Sequence, residues 1–157
     1  MDLILTGIMA GVFGTIVMDS MNHLLAGTGI ISKIDTSMLG RMCAGWTRGR
    51  FFYNHPDEME QVAKERLYGC ITHYGIGVGL ALVYVFGWAL MIGGPASPLW
   101  ALAYGMATTV ASLFFVYPSM GQGICGRRSP DVFKSILSSL LNHLFYGVGL
   151  AVAISVI

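Results

Sequence analysis

Four apolar stretches constrain this chain more than any other feature: Leu3 to about Leu25, about Leu67 to Ile92, about Leu99 to Tyr117 and about Ile136 to Ile157. A helix needs about 20 apolar residues to cross about 30 Å of hydrocarbon, and each stretch is of that order. Only 11% of the 157 residues are charged, against about 25% in ordinary soluble domains. The sequence therefore predicts an all-α membrane protein. It would be a single integral-membrane domain over residues 1–157, with four transmembrane helices at about 3–25, 67–92, 99–117 and 136–157. A basic n-region is missing before the first stretch, so no cleavable signal peptide is expected.

Charge sets the expected orientation. Lys33, Arg41, Arg48, Arg50, Lys64, Arg66, Arg127, Arg128 and Lys134 all fall in the first or third connection, and the second connection, Gly93 to Pro98, has no basic residue. By the positive-inside rule, both basic connections face the cytoplasm and both termini lie on the other side. Basic residues beside a bilayer point to anionic lipid rather than nucleic acid. Arg41, Arg48, Arg50, Arg127 and Arg128 are the candidate headgroup contacts. Cys43, Cys70 and Cys125 lie near the cytoplasmic face, where free thiols are expected.

The chain also repeats itself. At an offset of 70, His73 matches His143, Gly77 matches Gly147, and Val78, Gly79, Leu80 and Ala81 match Val148, Gly149, Leu150 and Ala151. More weakly, Met9–Thr15 can be laid on Met106–Ser112. The pattern predicts two tandem helical hairpins of equal orientation, related by an axis along the membrane normal.

Spacing then places the polar groups. His73, Gly77 and Ala81 are four apart, as are His143, Gly147 and Ala151. Residues four apart share a helix face, and small residues there let membrane helices pack closely. Gly7, Gly11, Thr15, Asp19 and His23 make a similar row. Ionisable groups inside a membrane are functional candidates by default. Asp19, His23, His73 and His143, with Asn22 and Asn142, are therefore expected to meet in one pocket near the cytoplasmic side. Imidazole and carboxylate suit a divalent metal such as Zn, Fe or Mn, and a small solute is equally compatible. A haem between His73 and His143 is a weaker alternative, and polar groups that merely crosslink helices are another. Thr108, Thr109 and Ser112 are the hydroxyls expected toward the outer side, and transport through so few helices would call for a homo-oligomer.

The first connection, about 27–66, carries an expected amphipathic helix capped by Asp35, with Met38, Leu39, Met42 and Trp46 as a stripe suited to a membrane interface. Trp46, Phe51, Phe52 and Tyr53 would sit at headgroup level. A second short helix is expected from Pro56, with Glu60 and Lys64 as a favourable pair. The string Gly121 to Gly126 is formally GxGxxG, but it follows no strand and is a poor dinucleotide fingerprint. No HExxH, GxSxG, CxxC or P-loop marks an enzyme. Cys70 and His73 are the one nucleophile–base spacing, and packing is the simpler reading of that cysteine.

Three phrases carry a resemblance: Gly40–Phe51 (GRMCAGWTRGRF), Thr72–Leu82 (THYGIGVGLAL) and Tyr117–Ala153, from YPSMGQGICGRRSP to LLNHLFYGVGLAVA. With Met18-Asp19, they resemble a bacterial family of small multi-pass membrane proteins known as a domain of unknown function (DUF 2938). The resemblance implies a bacterial inner-membrane protein and carries no activity. Tyr117 departs from it, standing where that family is expected to have glutamine.

Overall fold

The computed structural model describes residues 2–157 and is all-helical among them. Four helices are long and apolar enough to cross a membrane: α1 (Leu3–Gly27), α3 (Glu65–Met91), α4 (Pro98–Ser119) and α5 (Val132–Val156). A shorter helix, α2 (Thr36–Thr47), lies between α1 and α3. Aspartates start three of the five: Asp2, Asp35 and Asp131 accept from the backbone N–H of Ile4, Met38 and Lys134 at 3.0, 3.0 and 2.9 Å. Such caps satisfy donors that a helix start leaves free. The Asp131 cap explains why α5 begins four residues before its apolar stretch.

In the bundle, α1 packs against both α3 and α5, and α4 packs against α5. The order around the bundle is thus α3, α1, α5, α4. Glycine makes these contacts close. A Cβ on Gly11 would lie 2.6 Å from Val78 Cα on α3, and one on Gly105 would lie 2.3 Å from Gly147 Cα on α5. The repeat is visible here: Gly77 and Gly147 each receive a glycine from the other helix of their half. The equivalence also corrects the weaker sequence alignment, because Gly11 corresponds by packing to Gly105 and not, as that alignment had it, to Thr108.

The closing pair of the ring is different. α3 and α4 are joined by the short turn 92–97, yet they meet mainly through side chains. Tyr104 donates its hydroxyl to Leu80 O at 2.9 Å, and its ring lies 5.2 Å from that of Tyr84. Toward the basic end the two helices diverge, and α4 changes shape there. Residues Ser112–Val116 form a π-turn, with Tyr117 N–H bonded to Ser112 O. Pro118 follows directly; it lacks an N–H and crowds the preceding turn, so the wider turn absorbs the irregularity. Such turns widen a helix locally.

The connections between α1 and α3 and between α4 and α5 cover this end. Leu39, Met42, Tyr53, Met59 and Met120 form a second small core there. The apolar stripe of α2 is therefore filled largely by protein: Leu39 and Met42 are buried, and Tyr53, expected at headgroup level, is buried too. Phe51 and Phe52 remain exposed. α2 lies so close to α3 that a Cβ on Gly69 would fall 1.7 Å from Thr36 O. The short helix expected at Pro56 is one 3-10 turn, Pro56–Glu58. Lys64 adopts a left-handed conformation (φ 58°), and Glu60 pairs with Arg48 instead of Lys64, at 2.6 Å.

Candidate functional site

A cavity of about 440 Å³ lies where α3 and α4 part. α5 forms its back through Ser135, Ser138, Ser139, Asn142, His143 and Tyr146. These residues recur every three or four positions, so one polar face of α5 looks into the bundle. α3 supplies His73, Ile76, Gly77 and Leu80, and α4 supplies Thr108, Ala111, Ser112, Phe115 and Val116. Met38, Leu39 and Trp46 of α2 lie at the basic end, with the exposed Ser32, Lys33, Asp35 and Pro130 on its rim. Apart from histidine, the charged lining residues are Lys33 and Asp35, whose formal charges cancel.

Of the sequence candidates, His73, Asn142 and His143 line this cavity. Asp19 stands beside it: His73 Nε2–H donates to Asp19 Oδ1 at 2.8 Å. Nδ1 of His73 has no protein partner among the described residues. His143 Nδ1 lies 2.7 Å from Thr108 Oγ1, whose own hydrogen points to Gly105 O at 2.6 Å. With the hydroxyl hydrogen on Gly105 O, His143 Nδ1–H donates to Thr108 Oγ1 and Nε2 is left as an acceptor.

Asn22 is buried beside the cavity and ties three segments together. Its amide donates to Ser32 O at 3.1 Å and to Asn142 Oδ1 at 3.0 Å, and its oxygen accepts from Ile34 N–H at 3.2 Å. Asn142 Nδ2 keeps no protein partner among the described residues.

His23 does not join the group; it is exposed. The row of residues four apart explains why. Four residues turn a helix by about 400°, so each step drifts about 40°. Gly7, Gly11 and Thr15 are buried, Asp19 is half-buried and His23 has left the packed face. Among the described residues, no three His, Cys, Asp or Glu side chains are arranged to hold a metal ion.

Thr108 and Ser112, expected toward the outer side, line the same cavity as the histidines. Trp46 also belongs to the lining, and its indole N–H is buried without a partner. The polar row on α5 was a usable signal for Ser135, Ser139 and Tyr146. Nothing in the sequence shows that Trp46 turns inward. Tyr117, the departure from the family pattern, lines the cavity and donates to Ser135 O at 2.8 Å.

The arginines of the first connection have carboxylate partners. Arg41 forms a two-point pair with Glu65 at 2.7 and 3.0 Å, and that hydrogen bonding holds its guanidinium above its usual pKa. Arg48 pairs with Glu60 and Arg50 with Glu58. Arg127 and Arg128 are exposed and form no ion pair among the described residues. Cys43, Cys70 and Cys125 are free thiols, and Cys70 is exposed.

No curated protein and no solved structure matches the chain. A family model described as "Protein of unknown function (DUF2938)" matches residues 8–157, and the chain belongs to that family.

Proposed function

We propose that this chain is a multi-pass inner-membrane protein that binds a small organic solute in the cavity between α3, α4 and α5. Membrane residence is supported by the exposed apolar side chains around the four long helices, including Val83, Leu90, Trp100, Val110 and Val152. Soluble monomers rarely leave so much apolar surface uncovered. The basic residues gathered at one end support an orientation with that end inside the cell.

The observation that carries the binding reading is the cavity itself, about 440 Å³ with His73, Asn142 and His143 on one apolar-walled space. A few polar groups in a mainly apolar concavity of roughly 300–1,000 Å³ are the usual character of a small-molecule site. A divalent ion finds less support. Asp19 and His73 supply two ligands facing each other, His143 is turned to Thr108, and His23 lies outside. Haem finds less still, because the Nε2 that would ligate iron from His73 is engaged by Asp19.

One specific observation favours a second reading, in which the polar groups only crosslink helices. Asn22 bonds Asn142, and His143 bonds Thr108, between helices that already pack. Native mass spectrometry of protein released from membranes in mild detergent separates the two. Binding requires an adduct of defined mass on the wild type that is lost from His143→Phe at unchanged helical content. A bare wild-type chain of the same stability would favour crosslinking alone.

A further inference from the structure

Resting on the cavity reading, we infer that the ligand is a neutral lipophile of the quinone class, whose ring lies at the polar floor and whose chain leaves sideways between α3 and α4. Three observations converge on this chemistry.

The first is access. The cavity is walled on the α3–α4 side by Ile76, Leu80, Ala111 and Phe115, of which Ala111 and Phe115 are exposed. These residues lie within helices long enough to cross a membrane, so the gap between them faces hydrocarbon, while a separate polar rim at Ser32, Lys33 and Asp35 lies at the basic end. An apolar chain lying there covers apolar surface, whereas a polar solute would have to shed its hydration to use the same path.

The second is charge. Lys33 and Asp35 balance each other in the lining, and no arginine reaches it. A phosphate or carboxylate headgroup would be left without the paired guanidinium that such groups usually receive. A neutral head has no such requirement.

The third is the pattern of unmet hydrogen bonds. Trp46 and Ser129 line the cavity, but Trp46 Nε1 and Ser129 Oγ are buried among protein atoms and are not presented to it. Asn142 Nδ2 offers a donor without a protein partner among the described residues, and His143 Nε2 an acceptor. Buried polar groups normally find partners. A carbonyl oxygen answers Asn142 Nδ2, and a phenolic O–H in the reduced form of the same ring answers His143. The aromatic rings of Trp46 and Phe115, 5.7 Å apart, pack on each other and give the cavity an aromatic wall. Plain crosslinking leaves Asn142 Nδ2 unexplained, and a simple alkyl chain leaves it unmet.

The test uses the full chain in nanodiscs with Trp88→Phe and Trp100→Phe, which leaves Trp46 as its one indole. The probe is decylubiquinone, a fully substituted benzoquinone with a ten-carbon chain. Its quenching of Trp46 should saturate and should weaken tenfold or more in Asn142→Leu. Ala111→Phe, at an exposed position that does not enter the packed core, should weaken it equally by blocking the opening. The tailless quinone and dodecanoate should each bind at least tenfold more weakly than the probe. Equal binding of the tailless quinone, with Ala111→Phe silent, would overturn the sideways lipophile and leave the cavity reading intact. Preference for dodecanoate would overturn the neutral head. Absence of saturable quenching in a protein of wild-type melting behaviour would overturn the quinone class. The adduct measurement above then decides independently whether the cavity binds anything.

Discussion

Asn22 shows how a single buried amide can hold an irregular segment in a bundle. Its three bonds reach α5 and the backbone at Ser32 and Ile34, so Asn22→Leu would strand Ile34 N–H and remove a partner from both Ser32 and Asn142. Leaving a buried polar group unsatisfied costs about 1–3 kcal/mol. Thermal unfolding in detergent should show Asn22→Leu clearly destabilised. His23→Ala, one position away, should change stability by less than about 0.5 kcal/mol, as exposed substitutions usually do. Asp19, Asn22, His73, Asn142 and His143 could all be picked from the sequence, because polar residues in apolar helices stand out. The failure of His23 is equally physical: residues four apart share a face over one or two turns, and the drift accumulates beyond that. Trp46 was legible as an aromatic at a helix face but not as part of a cavity, since pattern alone does not say whether lipid or protein covers that face.

At the scale of elements, the four long helices follow from apolar length, and α2 from its Asp35 cap and its 3.6-residue stripe. What α2 packs against was not legible. Its seat on α3 depends on Gly40 and Gly69, where added Cβ atoms would fall 1.9 Å from Glu65 O and 1.7 Å from Thr36 O. Backbone atoms cannot yield as a flexible side chain can. Gly69→Val should therefore detach α2 while the four long helices persist. Limited trypsin digestion is expected to cut after Arg48 or Arg50 much faster in this variant, with far-UV circular dichroism nearly unchanged. The π-turn in α4 was also hidden. Pro118 signals an irregularity, but the sequence does not state whether the helix kinks, ends or widens around it.

At the scale of the whole molecule, the duplicated phrase sets the architecture. Gly77 and Gly147 take equivalent glycine contacts in the two halves, and α1 and α5 form the most buried pair of the four. The halves differ where the site lies. α1 contributes Asp19 to bond His73, whereas α4 contributes Thr108 to bond His143, so two histidines at matching positions acquire different partners. The sequence showed the symmetry but neither this break in it, which arises because Asp19 and Thr108 stand at non-equivalent positions of α1 and α4, nor the divergence of α3 and α4.

That divergence also separates a binding protein from a merely crosslinked bundle. A cryo-EM map of the wild-type chain in nanodiscs, with a rigid antibody fragment as fiducial, tests it most directly. We expect non-protein density within the cavity, with one end beside Asn142, His143 and Trp46, extending between Leu80 and Ala111 toward the bilayer. α3 and α4 closed against each other, with no such density and the histidines bonded only to Asp19 and Thr108, would contradict the binding reading.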